Sequence, residues 1–315
     1  MRRLGKSEIK TKPLMFGGNV FGWTVDEAMS FKLLDFFLDA GFNFIDTADV
    51  YSRWVAGNKG GESEMIIGKW HKLKKCRHQV AIATKVGMEM GPGQVGLSKK
   101  HIIAAVEESL KRLQTDYIDL YQAHKDDPDS SVQETLEAFS QLVNQGKVRV
   151  IGASNFSTER LKESLSTSMT RGLPRYQALQ PLYNLYDRDG FEGPLEDECV
   201  KNQIGVISFF SLASGFLTGK YRTKEDLIHR ARGARVEKYL NPRGLRIVDA
   251  LVKVSSELEV TPAQVALAWV VARPSITAAI ASATSLEQLD ELVKGSNLKL
   301  SAEHLIFLNT VSSEE

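Results

Sequence analysis

One pattern constrains this chain more than any other. Short runs rich in β-branched and small residues alternate with amphipathic helical runs, and the cycle repeats eight times. The strand-like runs are 14–18 (LMFGG), 42–46 (FNFID), 80–85 (VAIATK), 117–121 (YIDLY), 148–152 (VRVIG), 176–180 (YQALQ), 204–209 (IGVISF) and 277–281 (TAAIA). The first helix is expected to open on a capping box of Thr24 and Glu27 and to end before Gly41. Others are expected at 62–73, from Ser98 to about 112, at 131–145, from Ser157, at 189–202, 242–258, 262–272 and 285–294. A last helix at 301–312 packs outside. Between 211 and 241 lies a long polar segment rich in Arg, Lys and Gly.

Such alternation implies a parallel sheet covered by helices. Eight units with short connections and no break in composition favour closure over an open, doubly wound sheet. The expectation is an α/β fold: a single (β/α)8 TIM barrel over 1–315, with extra outer helices and its active site at the C-terminal face. A chain of 315 residues suits that size.

Charge excludes some partners. The formal net charge is +1, which argues against a dedicated nucleic-acid or polybasic membrane binder. The densest basic run, Lys72, Lys74, Lys75 and Arg77, reads as a solvated helix end. Cys76 and Cys199 show no metal-ligand spacing and cannot make a disulfide framework. They read as free thiols in a reducing, cytoplasmic compartment. The basic N-terminus is followed by no apolar stretch, so neither a signal peptide nor a membrane span is expected.

In barrels of this kind the reacting side chains lie at the C-terminal ends of strands. Asp46 ends the second run and Tyr51 follows in the same loop. Lys85 ends the third, and His124 lies just after the fourth. Each alone has a bland reading as a cap, a solvated lysine, a rim aromatic or a satisfied histidine. Together they make a proton-donating set. Reducing a carbonyl by hydride needs a proton on the developing alkoxide. A tyrosine can give it, although its ordinary pKa is about 10. Lys85 is expected to lower that value, Asp46 to hold Lys85 charged, and His124 to orient the carbonyl oxygen.

A GxGxxG also occurs, at Gly91, Gly93 and Gly96, with Asp116 about 20 residues on. It sits several residues beyond its strand and in the third βα unit. A substrate-side loop is therefore expected rather than a dinucleotide fingerprint.

The chain resembles the aldo-keto reductases over essentially its whole length. The blocks that carry the resemblance are RRLGKSEIK, FIDTADVYS (44–52), GGESEMIIGKW (60–70), ATK (83–85), DYIDLYQAH (116–124), GKVRVIGASNF (146–156), QPLYN (180–184) and SFFSLASGFLTGKY (208–221). The resemblance places that family's catalytic tetrad on Asp46, Tyr51, Lys85 and His124. It implies NADPH or NADH as cofactor, without a metal, and a small carbonyl substrate. It puts the nicotinamide carboxamide against Ser154, Asn155 and Gln180, and stacks its ring on Phe209. Ser211, Leu212, Gly215, Leu217, Gly219 and Lys220 match the loop along the pyrophosphate.

The eighth unit departs from the pattern. Relatives typically read PGAR or PGAT and then QLEEN; this chain reads IASATSLEQLDEL. No arginine occurs in 281–292 to grip a 2′-phosphate. Ser282 and Thr284 are expected to bond that phosphate, and Gln288 and Glu291 to lie at the adenosine end. NADPH is preferred and NADH remains open. Phe21, Trp23 and Trp54 are expected in the substrate pocket wall. The insertion 53–61 and the segment 222–243 are expected to form a movable cover. Arg230, Arg232 and Arg235 on it suit either an anionic ligand or a solvated face. Aldehydes, ketones and sugars are not separated, and oligomeric state is not readable. The rival readings are a nicotinamide-cofactor sensor or channel-subunit-like binding protein with this fold, and a phosphate-handling barrel enzyme.

Overall fold

The computed structural model describes residues 1–313. The chain opens with a hairpin, β1 (Arg2–Arg3) and β2 (Lys10–Thr11). Eight parallel strands follow: β3 (Leu14–Gly17), β4 (Phe44–Asp46), β5 (Ala81–Val86), β6 (Ile118–Ala123), β7 (Val148–Ser154), β8 (Ala178–Gln180), β9 (Gly205–Ser208) and β10 (Ile276–Ala281). They bond in chain order, and β10 pairs back with β3 to close the barrel. Helices α1 (Glu27–Asp39), α2 (Glu62–Lys74), α3 (Lys99–Leu113), α4 (Val132–Asn144), α5 (Thr158–Arg171) and α6 (Pro194–Asn202) follow β3 to β8 in turn. After β9 come α7 (Gly233–Val236), α8 (Pro242–Glu257) and α9 (Pro262–Ala272). After β10 come α10 (Leu286–Asn297) and α11 (Ala302–Ser312). No helix of the described residues is long and apolar enough to cross a membrane.

The strand period of two divides the core into two layers. Met15, Phe44, Ala81, Ala83, Leu120, Ala178, Ile207, Ala278 and Ile280 form one inner cluster. The alternate residues, such as Phe16, Ile45, Ile82, Val206 and Ala279, join the larger cluster between strands and helices. The N-terminal stretch, expected only as a polar lead-in, contributes Leu4 and Ile9 to the inner cluster. The β1–β2 hairpin thus stoppers the end of the barrel away from the site. Lys6 N donates to Gln177 Oε1 at 2.9 Å and pins it there.

Several boundaries differ from expectation. Helix α1 is capped by Asp26, whose Oδ1 accepts from Met29 N at 2.8 Å, and not by a Thr24–Glu27 box. Thr24 N is already bonded to Val20 O in the preceding turn, so the helix starts later. Ser98, Ser131 and Ser157 do cap α3, α4 and α5. The helix expected from 189 begins at Pro194, because Gly193 turns the chain at φ 85°. The polar segment holds short helical turns at Ala213–Thr218, Glu225–Leu227 and Glu237–Tyr239 besides α7. Arg77 is no solvated helix end. It donates to Asp119 Oδ2 at 2.8 Å and to the carbonyls of Val80 and Tyr117, joining the starts of β5 and β6.

Candidate active site

The period that fills the barrel also loads its mouth. Asp46 lies two residues after inward Phe44, and Lys85 two after Ala83. Gln180 lies two after Ala178, Phe209 two after Ile207, and Ser282 two after Ile280. Parallel register brings the ends level: Asp46 pairs with Ala83, Lys85 with Gln122, and Ser154 with Gln180. Asp46, Ser154, Gln180, Phe209 and Ser282 line a cleft of about 1180 Å³ at the C-terminal face, and Lys85 lies buried against Asp46.

At its floor Lys85 is 0% exposed and Asp46 1%. Lys85 Nζ lies 2.7 Å from Asp46 Oδ2, 2.8 Å from Thr47 O and 2.9 Å from Tyr51 Oη. Its three protons are therefore all placed. Gln180 Nε2 donates to the other oxygen, Asp46 Oδ1, at 2.9 Å. Tyr51 Oη stands 3.4 Å from Asp46 Oδ2, a long contact. Tyr51 Oη thus accepts a short bond from Lys85 and donates only a long one to Asp46 Oδ2, so its proton is weakly held.

The loop around Tyr51 is tied down. Ser52 Oγ donates to Phe21 O at 2.6 Å. Asn58 Nδ2 donates to Gly22 O at 2.9 Å and Ser52 O at 3.1 Å. The insertion 53–61 is thus anchored to the turn after β3.

The sequence reading expects Lys85 to lower the Tyr51 pKa, and this is corrected. Burial pushes the phenol up to about 12; Lys85 pulls against it, and Asp46 adds to the rise. Tyr51 is accordingly a fully protonated acid at neutral pH. Burial disfavours the Lys85 ammonium, but Asp46 and Tyr51 together hold it above its ordinary value. His124 stands at the rim with its ring 6.1 Å from that of Tyr51. Burial, then Lys85 and Lys125, drives its pKa well below the usual range, so the imidazole is neutral. Its Nδ1 has no partner among the described residues.

Behind the floor lies a buried group that the sequence reading missed. Asp49 is 1% exposed, and among the described residues its carboxyl oxygens meet no side-chain hydrogen-bond donor; the Val50 backbone pulls weakly on its charge. Burial, then Glu64, pushes it up to about 8, against the pull of Arg112. Glu64 is itself satisfied by Thr84 Oγ1 at 2.6 Å and Arg112 Nε at 2.7 Å.

Most of the expected cofactor residues meet in the same cleft. Ser154, Asn155, Gln180 and Phe209 line one side. Ser154 Oγ donates to Gln180 O at 2.9 Å, and Asn155 Nδ2 to His124 O at 2.9 Å. Leu212, Gly215 and Lys220 line the far end with Ser282, Thr284, Gln288 and Glu291. Ser282 Oγ donates to Asn19 Oδ1 at 2.6 Å, Thr284 N to Gln288 Oε1 at 2.9 Å, and Thr261 Oγ1 bonds Glu291. Ser211, Leu217 and Gly219 are not in the lining. The Ser211 hydroxyl is bonded to Ile280 O at 3.0 Å, the Leu217 side chain is core, and Gly219 faces Pro262 and Val248.

Two aromatic expectations also change. Phe21 is fully buried and stacks on Phe16 at 5.2 Å, because the turn at Gly18–Val20 folds it back beneath the rim. Trp54 does line the cleft, with its ring 6.1 Å from Tyr51. Trp23 packs edge-on behind Trp54 at 5.6 Å. The GxGxxG loop folds as its own turn, Met90 N to Gln94 O and Gln94 N to Gly91 O, each at 2.9 Å. None of 91–96 lines the cleft.

Sequence reasoning also missed Asn19, Met88, Phe210 and Ser214 in the lining. Asn19 lies two residues beyond Gly17, so the strand period carried a signal for it. The others sit in irregular turns with no period to follow.

The comparisons agree with this geometry. The chain matches the Aldo/keto reductase family over residues 13–310. It is 35% identical to the uncharacterized oxidoreductase YrpG of Bacillus subtilis, covering 98% of this chain and 94% of that one. It is 33% identical to the aldo-keto reductase YhdN of the same species, covering 94% and 86%. It is also 33% identical to a probable voltage-gated potassium channel subunit beta of Oryza sativa subsp. japonica, covering 93% and 90%. A match of this extent, on a closed eight-stranded barrel, makes the chain a member of the aldo/keto reductase family of oxidoreductases.

Proposed function

We propose that the protein reduces aldehydes or ketones to alcohols, using a nicotinamide cofactor, with NADPH preferred and NADH accepted. The supporting observation is the bond from Lys85 Nζ to Tyr51 Oη at 2.9 Å, which sets an ammonium against the hydroxyl of a tyrosine that lines the cleft. When bound, the reduced cofactor would supply a hydride to the carbonyl carbon. Tyr51 gives its proton to the carbonyl oxygen as the C=O π bond breaks, so an alcohol leaves and a phenolate remains. Lys85 stabilises that phenolate at short range, and Asp46 keeps Lys85 charged and aimed. His124, neutral, donates to the carbonyl oxygen and orients it.

The residues present fit such a cofactor. The cleft is larger than the roughly 300–1,000 Å³ of ordinary small-molecule sites, leaving room for a dinucleotide and a substrate. Ser154, Asn155 and Gln180 offer amide and hydroxyl groups to a carboxamide, and Phe209 offers an exposed ring face. Leu212, Gly215 and Lys220 would follow the pyrophosphate. Ser282, Thr284, Gln288 and Glu291 would take the adenosine end. Trp54, backed by Trp23, forms the substrate wall. The buried free thiols Cys76 and Cys199 suit a reducing, cytoplasmic setting.

The test is an aldehyde and ketone panel with NADPH and NADH, run beside Tyr51→Phe. The variant should lose roughly 10²–10⁴ in kcat, while binding cofactor as before. Near-wild-type kcat would overturn the proton-donor role. The relatives named as potassium channel subunits favour a second reading, a cofactor-binding protein with little turnover. That reading requires cofactor binding by the wild type with no member of the panel reduced.

A further inference from the structure

Arg232 caps α7 and Arg235 lies within it, on the segment beside the cleft, and both line it. Among the described residues neither guanidinium has a hydrogen-bond or ion-pair partner. Their contacts are aromatic. Arg232 Cζ lies 5.6 Å from the Trp23 ring centroid. Arg235 Cζ lies 6.0 Å from Trp23, 5.8 Å from Trp54 and 5.9 Å from Phe210. Burial, then the charge of Arg235, pulls the Arg232 guanidinium below its ordinary value. Two like charges are thus gathered on one indole wall without a counter-charge. Ring faces offset part of the cost of removing guanidinium from water, but they leave the forked N–H donors unused. Of the other cleft cations, Lys220 lies 5.0 Å from the Tyr221 ring centroid at the pyrophosphate end, and two have carboxylate neighbours. Lys238 pairs with Asp187, and Arg230 lies within electrostatic reach of Asp226.

Position tells which anion the pair suits. The Trp54 ring neighbours both residues, its centroid 6.1 Å from that of Tyr51 and 5.8 Å from Arg235 Cζ. Phe210, the third ring under Arg235, packs against Phe209 at 5.1 Å. The donors therefore stand one indole away from the proton-donating hydroxyl, at the substrate end. The candidate adenosine-end residues, Ser282 to Glu291, come from the loop and helix after β10 instead.

We infer that Arg232 and Arg235 form an anion anchor for the substrate, so that the preferred carbonyl compounds carry a carboxylate or similar oxyanion separated from the carbonyl by about one aromatic ring. This rests on the reductase reading above and names its substrate class. The anchored oxyanion takes the free N–H forks, the spacer lies on Trp54, and the carbonyl reaches Tyr51 and His124. Each turnover consumes one hydride from the cofactor and one proton from Tyr51; the oxyanion is unchanged.

The test uses the intact protein with two aldehydes of nearly equal shape, 4-carboxybenzaldehyde and its methyl ester. Wild type should favour the acid in kcat/KM by tenfold or more. That preference should weaken as salt rises. Arg235→Gln should reduce the acid-to-ester ratio at least tenfold, and Arg235→Lys should retain part of it. A ratio within twofold of wild type in Arg235→Gln would sink the anchor. So would a rise in cofactor Kd with the ratio unchanged, which would assign the arginines to the cofactor. Should neither aldehyde turn over, the reductase reading has failed, and a direct titration still decides the anchor. Terephthalate should quench Trp23 and Trp54 fluorescence in wild type and not in Arg235→Gln. Equal quenching in both would overturn it.

Discussion

Gln180 and Asp46 meet across the barrel, Nε2 to Oδ1 at 2.9 Å, and this bond leaves Oδ2 to Lys85 at 2.7 Å and, at longer range, to Tyr51. A residue expected only to hold a cofactor also holds the Asp46 carboxylate in place. Gln180→Leu removes the donor and strands a buried oxygen, at a cost of about 1–3 kcal/mol. Gln180→Glu should be worse, since it sets a second carboxyl against Asp46. Urea denaturation and kcat measured together should rank wild type above Gln180→Leu and that above Gln180→Glu. Equal stability in all three would show that the bond contributes nothing.

The titrating groups predict a flat pH profile for reduction. Tyr51 donates only while protonated, and with its pKa pushed up to about 12 it stays so across the neutral range. His124 is held well below its ordinary value, so it stays neutral there too. From about pH 7 to pH 9, kcat/KM should therefore vary by less than about twofold. A falling limb centred near the ordinary tyrosine value of about 10 would mean that Lys85 outweighs burial after all.

Asp49 should make stability depend on pH. Its folded pKa, about 8, lies above the ordinary carboxyl value. Across the interval between those values the folded protein binds more protons than the unfolded chain. Stability is thus greatest below the unfolded value and falls as pH rises toward the folded one, by up to about 1.4 kcal/mol per pH unit. Asp49→Asn carries no such proton. Its Tm relative to wild type should rise steadily from pH 5 to pH 8. A constant difference would place the proton elsewhere.

Gly93 tests the glycine-rich loop. Its φ is +72°, and an added Cβ would meet nothing within 4 Å. Gly93→Ala should cost about 1–2 kcal/mol of local backbone strain and leave cofactor Kd within about twofold. A hundredfold loss in affinity would restore the dinucleotide-fingerprint reading.

What the sequence made legible follows from period. The alternation of strands and helices put Asp46 and Lys85 at strand ends on one rim before any coordinates, and the family resemblance added Gln180, Phe209 and Ser282. The start of α3 was equally plain, because Ser98 precedes a periodic helical run and caps it. The failures lie where the chain leaves regular geometry. Phe21 is turned inward by a single 3₁₀ turn, and Leu217 by a kinked one with Ser214 at φ 59°. The pairing of Arg77 with Asp119 joins residues distant in sequence. The Tyr51 pKa was misjudged because one charge contact was weighed without the burial that surrounds it. Asp49 sits between two residues of the legible motif, but nothing in its spacing reveals that its carboxyl meets no side-chain donor.

The hairpin that carries Leu4 and Ile9 gives the barrel one door. Its far end is packed with hydrocarbon, while Tyr51 lines the open cleft at the other. In the proposed reduction, proton resupply to Tyr51 would then share its path with product departure. Recharging the acid would fall in the part of the cycle when that entrance is clear.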